Sequence, residues 1–140
     1  MDNLIEQINS ILTKDININI ITDILKNYNN YDWKKYIVET SYYTKILIYR
    51  NSIYEIFLIS WDKNISTPFH NHPRNGCILK VLEGTLIESM LDGDEFKILN
   101  IDDISCINHN IYHKITSIGK SYSIHVYSPP LFYEKNENIT

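Results

Sequence analysis

Alanine is missing from this 140-residue chain, and cysteine, methionine and tryptophan occur only twice each. Two cysteines are too few for a disulfide framework and read as free thiols in a reducing, cytoplasmic setting. Four glycines and four prolines leave no low-complexity linker. No run approaches the roughly 18 apolar residues of a membrane span. The opening Met1-Asp2-Asn3-Leu4-Ile5-Glu6 lacks the basic region and apolar run of a secretory leader. Without secretion, Asn64-Ile65-Ser66 and Asn138-Ile139-Thr140 carry no weight as glycosylation sites. Thirteen basic against seventeen acidic residues give a net charge of −4, with no basic patch to argue for nucleic acid. What remains is an ordinary globular composition, 44% apolar and 21% charged, expected to fold as one domain over 1–140 and read as a monomer.

The first forty residues read as helical. Leu4, Ile5, Ile8, Ile11 and Leu12 form a stripe at helical spacing, with Asp2 or Asn3 as N-cap. Ile20, Ile21, Ile24 and Leu25 repeat it behind Asn19 or Thr22, and Trp33, Tyr36 and Ile37 suggest a further short piece. From about residue 43 the chain becomes β-branched and aromatic. Lys45–Arg50 and Ser52–Trp61 are strands joined at Asn51-Ser52. Runs over 76–83, 85–90, 95–99, 104–107, 112–116 and 121–127 follow, with turns at Gly84 and Asp92-Gly93. About eight to ten short strands after a helical lead-in predict an antiparallel barrel or jelly roll over 43–130. Pro129-Pro130 ends the last strand, Ser128-Pro129 is a candidate cis bond, and residues 131–140 read as a polar tail that frays.

Two of the five histidines stand one residue apart, at His70 and His72. On a strand, i and i+2 share a face, so the two imidazoles can aim at one metal ion. A third ligand is available from His109, His113, His125 or a carboxylate. His113 lies on a strand that antiparallel pairing could bring opposite the pair. His109, between Asn108 and Asn110, reads as a loop residue. In Ser121–Tyr127, Ser123, His125 and Tyr127 fall on one face, the pattern of a strand lining a wet pocket. Cys77 in its apolar run is either a small buried hydrophobe or a site residue, and Cys106 reads as core. Arg74 reads as surface.

The spacing His70-x-His72-x4-Cys77-x6-Gly84, with His113 downstream, resembles the two cupin motifs, with cysteine where most cupins carry glutamate. With Tyr49-Arg50-Asn51 upstream and Ser123-x-His125-x-Tyr127-Ser128-Pro129-Pro130 downstream, the chain is similar to the cysteine dioxygenase family from about Tyr49 to Pro130. The resemblance implies a mostly β, cupin-type antiparallel barrel behind a short N-terminal helical segment. It implies a non-haem Fe(II) held by His70, His72 and His113, with L-cysteine and O2 as partners and cysteine sulfinic acid as product. It makes Arg50 the clamp for the substrate carboxylate, and Tyr127 the hydroxyl beside substrate, held in a Ser123–His125–Tyr127 relay. Cys77 and Tyr127 become the pair of the family's thioether crosslink. Gly76 stands where animal members have histidine, and Ile48 where they have a second tyrosine near the arginine. Two other readings are a dioxygenase of another small thiol such as 3-mercaptopropionate, and a cupin that binds metal and ligand without catalysis. Arg50 favours cysteine over the first.

Overall fold

The computed structural model describes residues 1–39 and 42–135, so the end of the expected polar tail, 136–140, lies outside the described residues. Eight strands run among them: β1 (Tyr43–Arg50), β2 (Glu55–Trp61), β3 (Cys77–Glu83), β4 (Leu86–Met90), β5 (Phe96–Leu99), β6 (Ile104–Ile107), β7 (His113–Ser117) and β8 (Ser121–Tyr127). They form a five-stranded sheet ordered β1-β2-β8-β3-β6 and a three-stranded sheet ordered β5-β4-β7, with every pair antiparallel. The molecule is the mostly β antiparallel barrel with a short N-terminal helical segment that its run of short strands predicts, in keeping with the fold the resemblance implies. β2 starts at Glu55 rather than Ser52, because Asn51 Oδ1 accepts from the amides of both Ile53 and Tyr54 and keeps that stretch in a turn.

The lead-in is less helical than its stripe suggests. Helix α1 (Asp2–Ile11) begins one residue early, with Met1 at the cap position and no side-chain cap. Helix α2 is only Thr22–Asn27; Ile18–Ile21 and Asp32–Tyr36 are single tight 3₁₀ turns. Asn17 caps the first of these by accepting from the Asn19 amide at 2.9 Å. These pieces bury Leu4, Ile8, Ile21, Leu25 and Trp33 against Ile56, Leu58, Ile78, Ile124 and Val126, which share the outer face of the five-stranded sheet. Lys80, 1% exposed, stands among them and fastens the lead-in. Its ammonium donates to the carbonyls of Leu25, Lys26 and Tyr28 at 2.8, 3.2 and 2.6 Å, satisfying carbonyls that the end of α2 leaves without helical partners.

The inner face carries a second cluster, including Phe57, Ile59, Trp61, Leu79, Val81 and Tyr127, packed against Leu86 and Ile115 of the smaller sheet. β8 is therefore buried along its whole length. Its even-numbered residues face the lead-in and its odd-numbered ones the barrel. The segment holding His70 and His72 is not a regular strand. It meets β7 only through isolated bridges, Ser66 to Thr116 and His70 to His113. Pro68 and Pro73 offer no amide to a ladder, and Asn64 turns the chain at φ +59°.

Candidate metal centre

His70, His72 and His113 reach one point from two elements. The His70–His113 bridge closes with both backbone hydrogen bonds, at 2.9 and 3.0 Å. The His72 amide donates to the carbonyl of His109, otherwise an exposed loop residue, at 3.2 Å. Three Nε2 atoms converge as a result, that of His113 lying 2.9 Å from His72 and 3.0 Å from His70.

The placement of protons gives this convergence its meaning. The Pro68 carbonyl, 2.9 Å from His70 Nδ1, can only accept, so the proton of His70 sits on that nitrogen. His113 Nδ1 donates to the Glu88 carboxylate at 2.7 Å. Neutral His70, with its proton on Nδ1, then turns a bare lone pair at Nε2 toward His113. Burial, helped by the neighbouring His113, pushes His70 down to about 4 and His72 to about 2, so these two are neutral at neutral pH. His72 Nδ1 is buried and makes no hydrogen bond of good geometry, although the Ile111 carbonyl acts on it. A lone pair 3.0 Å from the next imidazole nitrogen is satisfied by a proton or a cation between the two. The donor set, with ligand atoms all within 4.8 Å of one another, fits a metal ion.

Glu88 is the first residue the sequence reading missed. It is fully buried on β4 and takes Ser105 Oγ on its two oxygens at 2.8 and 3.0 Å. Burial alone would raise its carboxyl, but the hydrogen bonds from His113 and Ser105 hold it below the usual carboxylate range. A buried carboxylate on the far nitrogen of a ligand histidine fixes both tautomer and ring orientation. The available signal was a charged residue in strand alternation with Leu86 and Met90.

β8 supplies a relay beside this cluster. Trp61 Nε1 donates to Ser123 Oγ at 2.9 Å, Ser123 Oγ meets His125 Nε2 at 2.9 Å, and His125 Nδ1 meets the Tyr127 hydroxyl at 3.2 Å. With the His125 proton on Nδ1, the Tyr127 hydroxyl hydrogen is free to point at a ligand. Burial, and after it the charge of Lys45, drives His125 well below its ordinary value, so the ring is neutral. Burial, and then Cys77, pushes Tyr127 well above its own, so the phenol keeps its proton. Cys77 and Tyr127 are direct cross-strand partners on β3 and β8. The Cys77 thiol is fully buried and its pKa is raised by burial and by Glu88, so it is no ready thiolate. Cys106, expected in the core, is exposed, with its Sγ 3.4 Å from Thr22 Oγ1.

His70, His125 and Tyr127 line a partly open cavity together with Tyr43, Lys45 and Tyr133. Arg50 is not among its walls. Its Nε donates to Glu55 Oε1 at 2.8 Å and its Nη2 pairs with Glu134, so the guanidinium meets two carboxylates already. The cation in the cavity is Lys45. Its Nζ lies 4.6, 4.7 and 5.4 Å from the ring centres of Tyr133, Phe57 and Tyr127, with no carboxylate in ion-pair range among the described residues. Burial pushes its ammonium below the ordinary lysine value. The tyrosine-x-cation pair sought at Ile48 and Arg50 is thus present at Tyr43 and Lys45. A β-bulge between Leu47 and Tyr49 breaks the alternation that would have shown it. Tyr133, placed by the sequence reading in a fraying tail, is 6% exposed in helical turn α3 (Phe132–Lys135). Nothing in the sequence separates it from ten other tyrosines. Arg74 pairs with Asp15 at the surface, and the Ser128–Pro129 bond is cis.

The family profile described as "Cysteine dioxygenase type I" matches residues 1–136. Cysteine dioxygenase type 1 of Danio rerio is 25% identical over 150 residues, spanning 93% of this chain and 75% of that one. The Homo sapiens protein of that name is 25% identical over 134 residues, spanning 83% and 67%. Among solved structures, TT1209 from Thermus thermophilus superposes with a TM-score of 0.62 at 16% identity, over 71% of this chain and 96% of that one. KdgF from Halomonas sp. gives 0.59 at 17% identity, over 66% and 84%. These structural likenesses bear on the fold alone.

Proposed function

The chain belongs to the cysteine dioxygenase type I family, and from that premise we propose that its cavity binds L-cysteine and adds both atoms of O2 to the thiol sulfur. The reaction is R–SH + O2 → R–SO2H: sulfur loses four electrons, O2 takes up four, and no further reductant is needed. The observation that carries the reading is the meeting of three imidazole Nε2 atoms beside a phenol that keeps its proton. His70, His72 and His113 would hold the metal, which we take to be Fe(II). When bound, a ferrous ion supplies the redox chemistry with O2 and the open positions that three protein ligands leave.

The chain's own residues divide the remaining work. Lys45 is the candidate anchor for the substrate carboxylate, in place of Arg50, because its ammonium is walled by rings and has no carboxylate in ion-pair range among the described residues. The Tyr127 hydroxyl offers a proton toward the cavity, and His125, oriented by Ser123 and Trp61, holds that hydroxyl in place. Burial excludes water from the sulfur. Cys77, opposite Tyr127, is placed for a thioether to that ring, a step in which two hydrogens leave and O2 accepts the electrons. The reading includes a cytoplasmic monomer.

Purified protein loaded with Fe(II) is expected to consume O2 with L-cysteine and release an equal amount of sulfinate. Iron-loaded protein that forms none overturns the dioxygenase reading and favours a binding module. Equal or better turnover of 3-mercaptopropionate, which keeps the carboxylate and lacks the amine, would reassign the substrate.

A further inference from the structure

Three features outside the metal centre converge on the C-terminal turn. Tyr133, itself buried, lies edge-on to Tyr127 at 5.0 Å and to His70 at 6.0 Å and lines the cavity with them. Its hydroxyl donates to the carbonyl of Asn71, the residue between the two paired histidines, at 2.8 Å. On the other side the turn is fastened through Arg50. Arg50 Nη2 meets Glu134, Arg50 Nε meets Glu55, and the Leu131 amide donates to the same Glu55 oxygen at 3.2 Å. Leu131 sits at φ +72°, a left-handed conformation that leucine rarely adopts and that the bonds on either side must hold.

We propose that Tyr133 is the specificity-determining wall that limits the cavity to short thiols, and that Arg50, through Glu134, is the latch that holds it down. The tyrosine ring is the one large group of the C-terminal turn that lines the cavity beside His70. Truncating it joins the cavity to the space above. Arg50 acts on size selection without touching substrate. The choice of thiols as the excluded class rests on the function proposed above; the shielding of His70 does not.

Shielding can be read on metal-free protein by the rate at which diethyl pyrocarbonate modifies His70, mapped by peptide mass spectrometry. Exposed His109 serves as internal reference. In Tyr133→Ala the His70-to-His109 rate ratio is expected to rise roughly five- to tenfold, as for a half-buried site opened to solvent. In Arg50→Met it should rise about two- to fivefold, the effect of losing a partly exposed ion pair. Glu134→Gln, which removes the same ion pair from its other side and leaves Arg50 on Glu55, should raise it to a similar extent, and Tyr133→Phe should keep most of the shielding. A ratio unchanged in Tyr133→Ala overturns the wall; one unchanged in Arg50→Met overturns the latch. On iron-loaded protein, Tyr133→Ala should raise sulfinate formation from homocysteine relative to cysteine, and an unmoved preference overturns the size limit. If shielding changes as expected but no variant oxidises either thiol, the wall stands and the dioxygenase reading falls.

Discussion

On the outer face of the five-stranded sheet, Ile56, Leu58, Ile78, Ile124 and Val126 meet the lead-in helices, and Lys80 is the one charged group. One residue along the same strands, Phe57, Leu79, Ser123, His125 and Tyr127 face the barrel and carry its chemistry. Each face has a lysine, Lys80 buried and Lys45 half-buried, and the two differ in what surrounds them. Lys80 is saturated by three carbonyls and has its function in the fold. Lys45 is surrounded by ring faces, which stabilise a cation without neutralising it. A half-buried cation with no carboxylate in ion-pair range among the described residues, Glu55 and Glu134 acting on it only from further off, is a place for an anionic group to arrive. The comparison separates burial that builds the molecule from burial that prepares a site.

The largest expected effect falls on the inner face. His113→Ala should abolish metal binding and sulfinate formation together while the protein still melts cooperatively; retained stoichiometric iron would remove His113 from the ligand set. Ile78→Ala on the outer face should do the reverse. It is expected to cost about 2–5 kcal/mol in urea denaturation, with metal content per folded molecule unchanged. Glu88→Gln keeps the volume but weakens the hold on the His113 tautomer, so metal affinity in a chelator competition should fall by roughly 10–100-fold. The lysines sharpen the contrast most finely. Lys45→Met should raise KM for carboxylated thiols about tenfold and leave a thiol without a carboxylate unaffected. Lys80→Met should leave KM alone and lower stability by roughly 1–3 kcal/mol, the cost of carbonyls stranded in the core.

Where strand periodicity is unbroken, the sequence is a good guide to the site. Ser123, His125 and Tyr127 could be placed on one face because β8 is regular over seven residues, whereas the pairing of Cys77 with Tyr127 came from the family resemblance alone, since periodicity within a strand does not set its register against another. His70 and His72 could be paired although their segment is irregular, since an extended loop keeps the two-residue repeat. Arg50 was misjudged because the bulge in β1 shifts parity between Lys45 and the strand's end, and because Glu134 reaches it from across the chain. Cys106 was misplaced because β6 is short and its outer face is only partly covered by α2. Tyr133 and Glu88 act through tertiary partners that no local pattern announces.

The direct pairing of Cys77 with Tyr127 has a consequence for the unfolded chain. A thioether there would join residues already adjacent in the fold, so the native state would gain little. The denatured chain would instead be closed into a ring of about fifty residues, losing freedom equivalent to about 4 kcal/mol by the chain-entropy relation. A partly crosslinked preparation should then melt in two steps on the order of ten degrees apart. The upper step should persist in reductant, because a carbon–sulfur bond does not exchange with thiols.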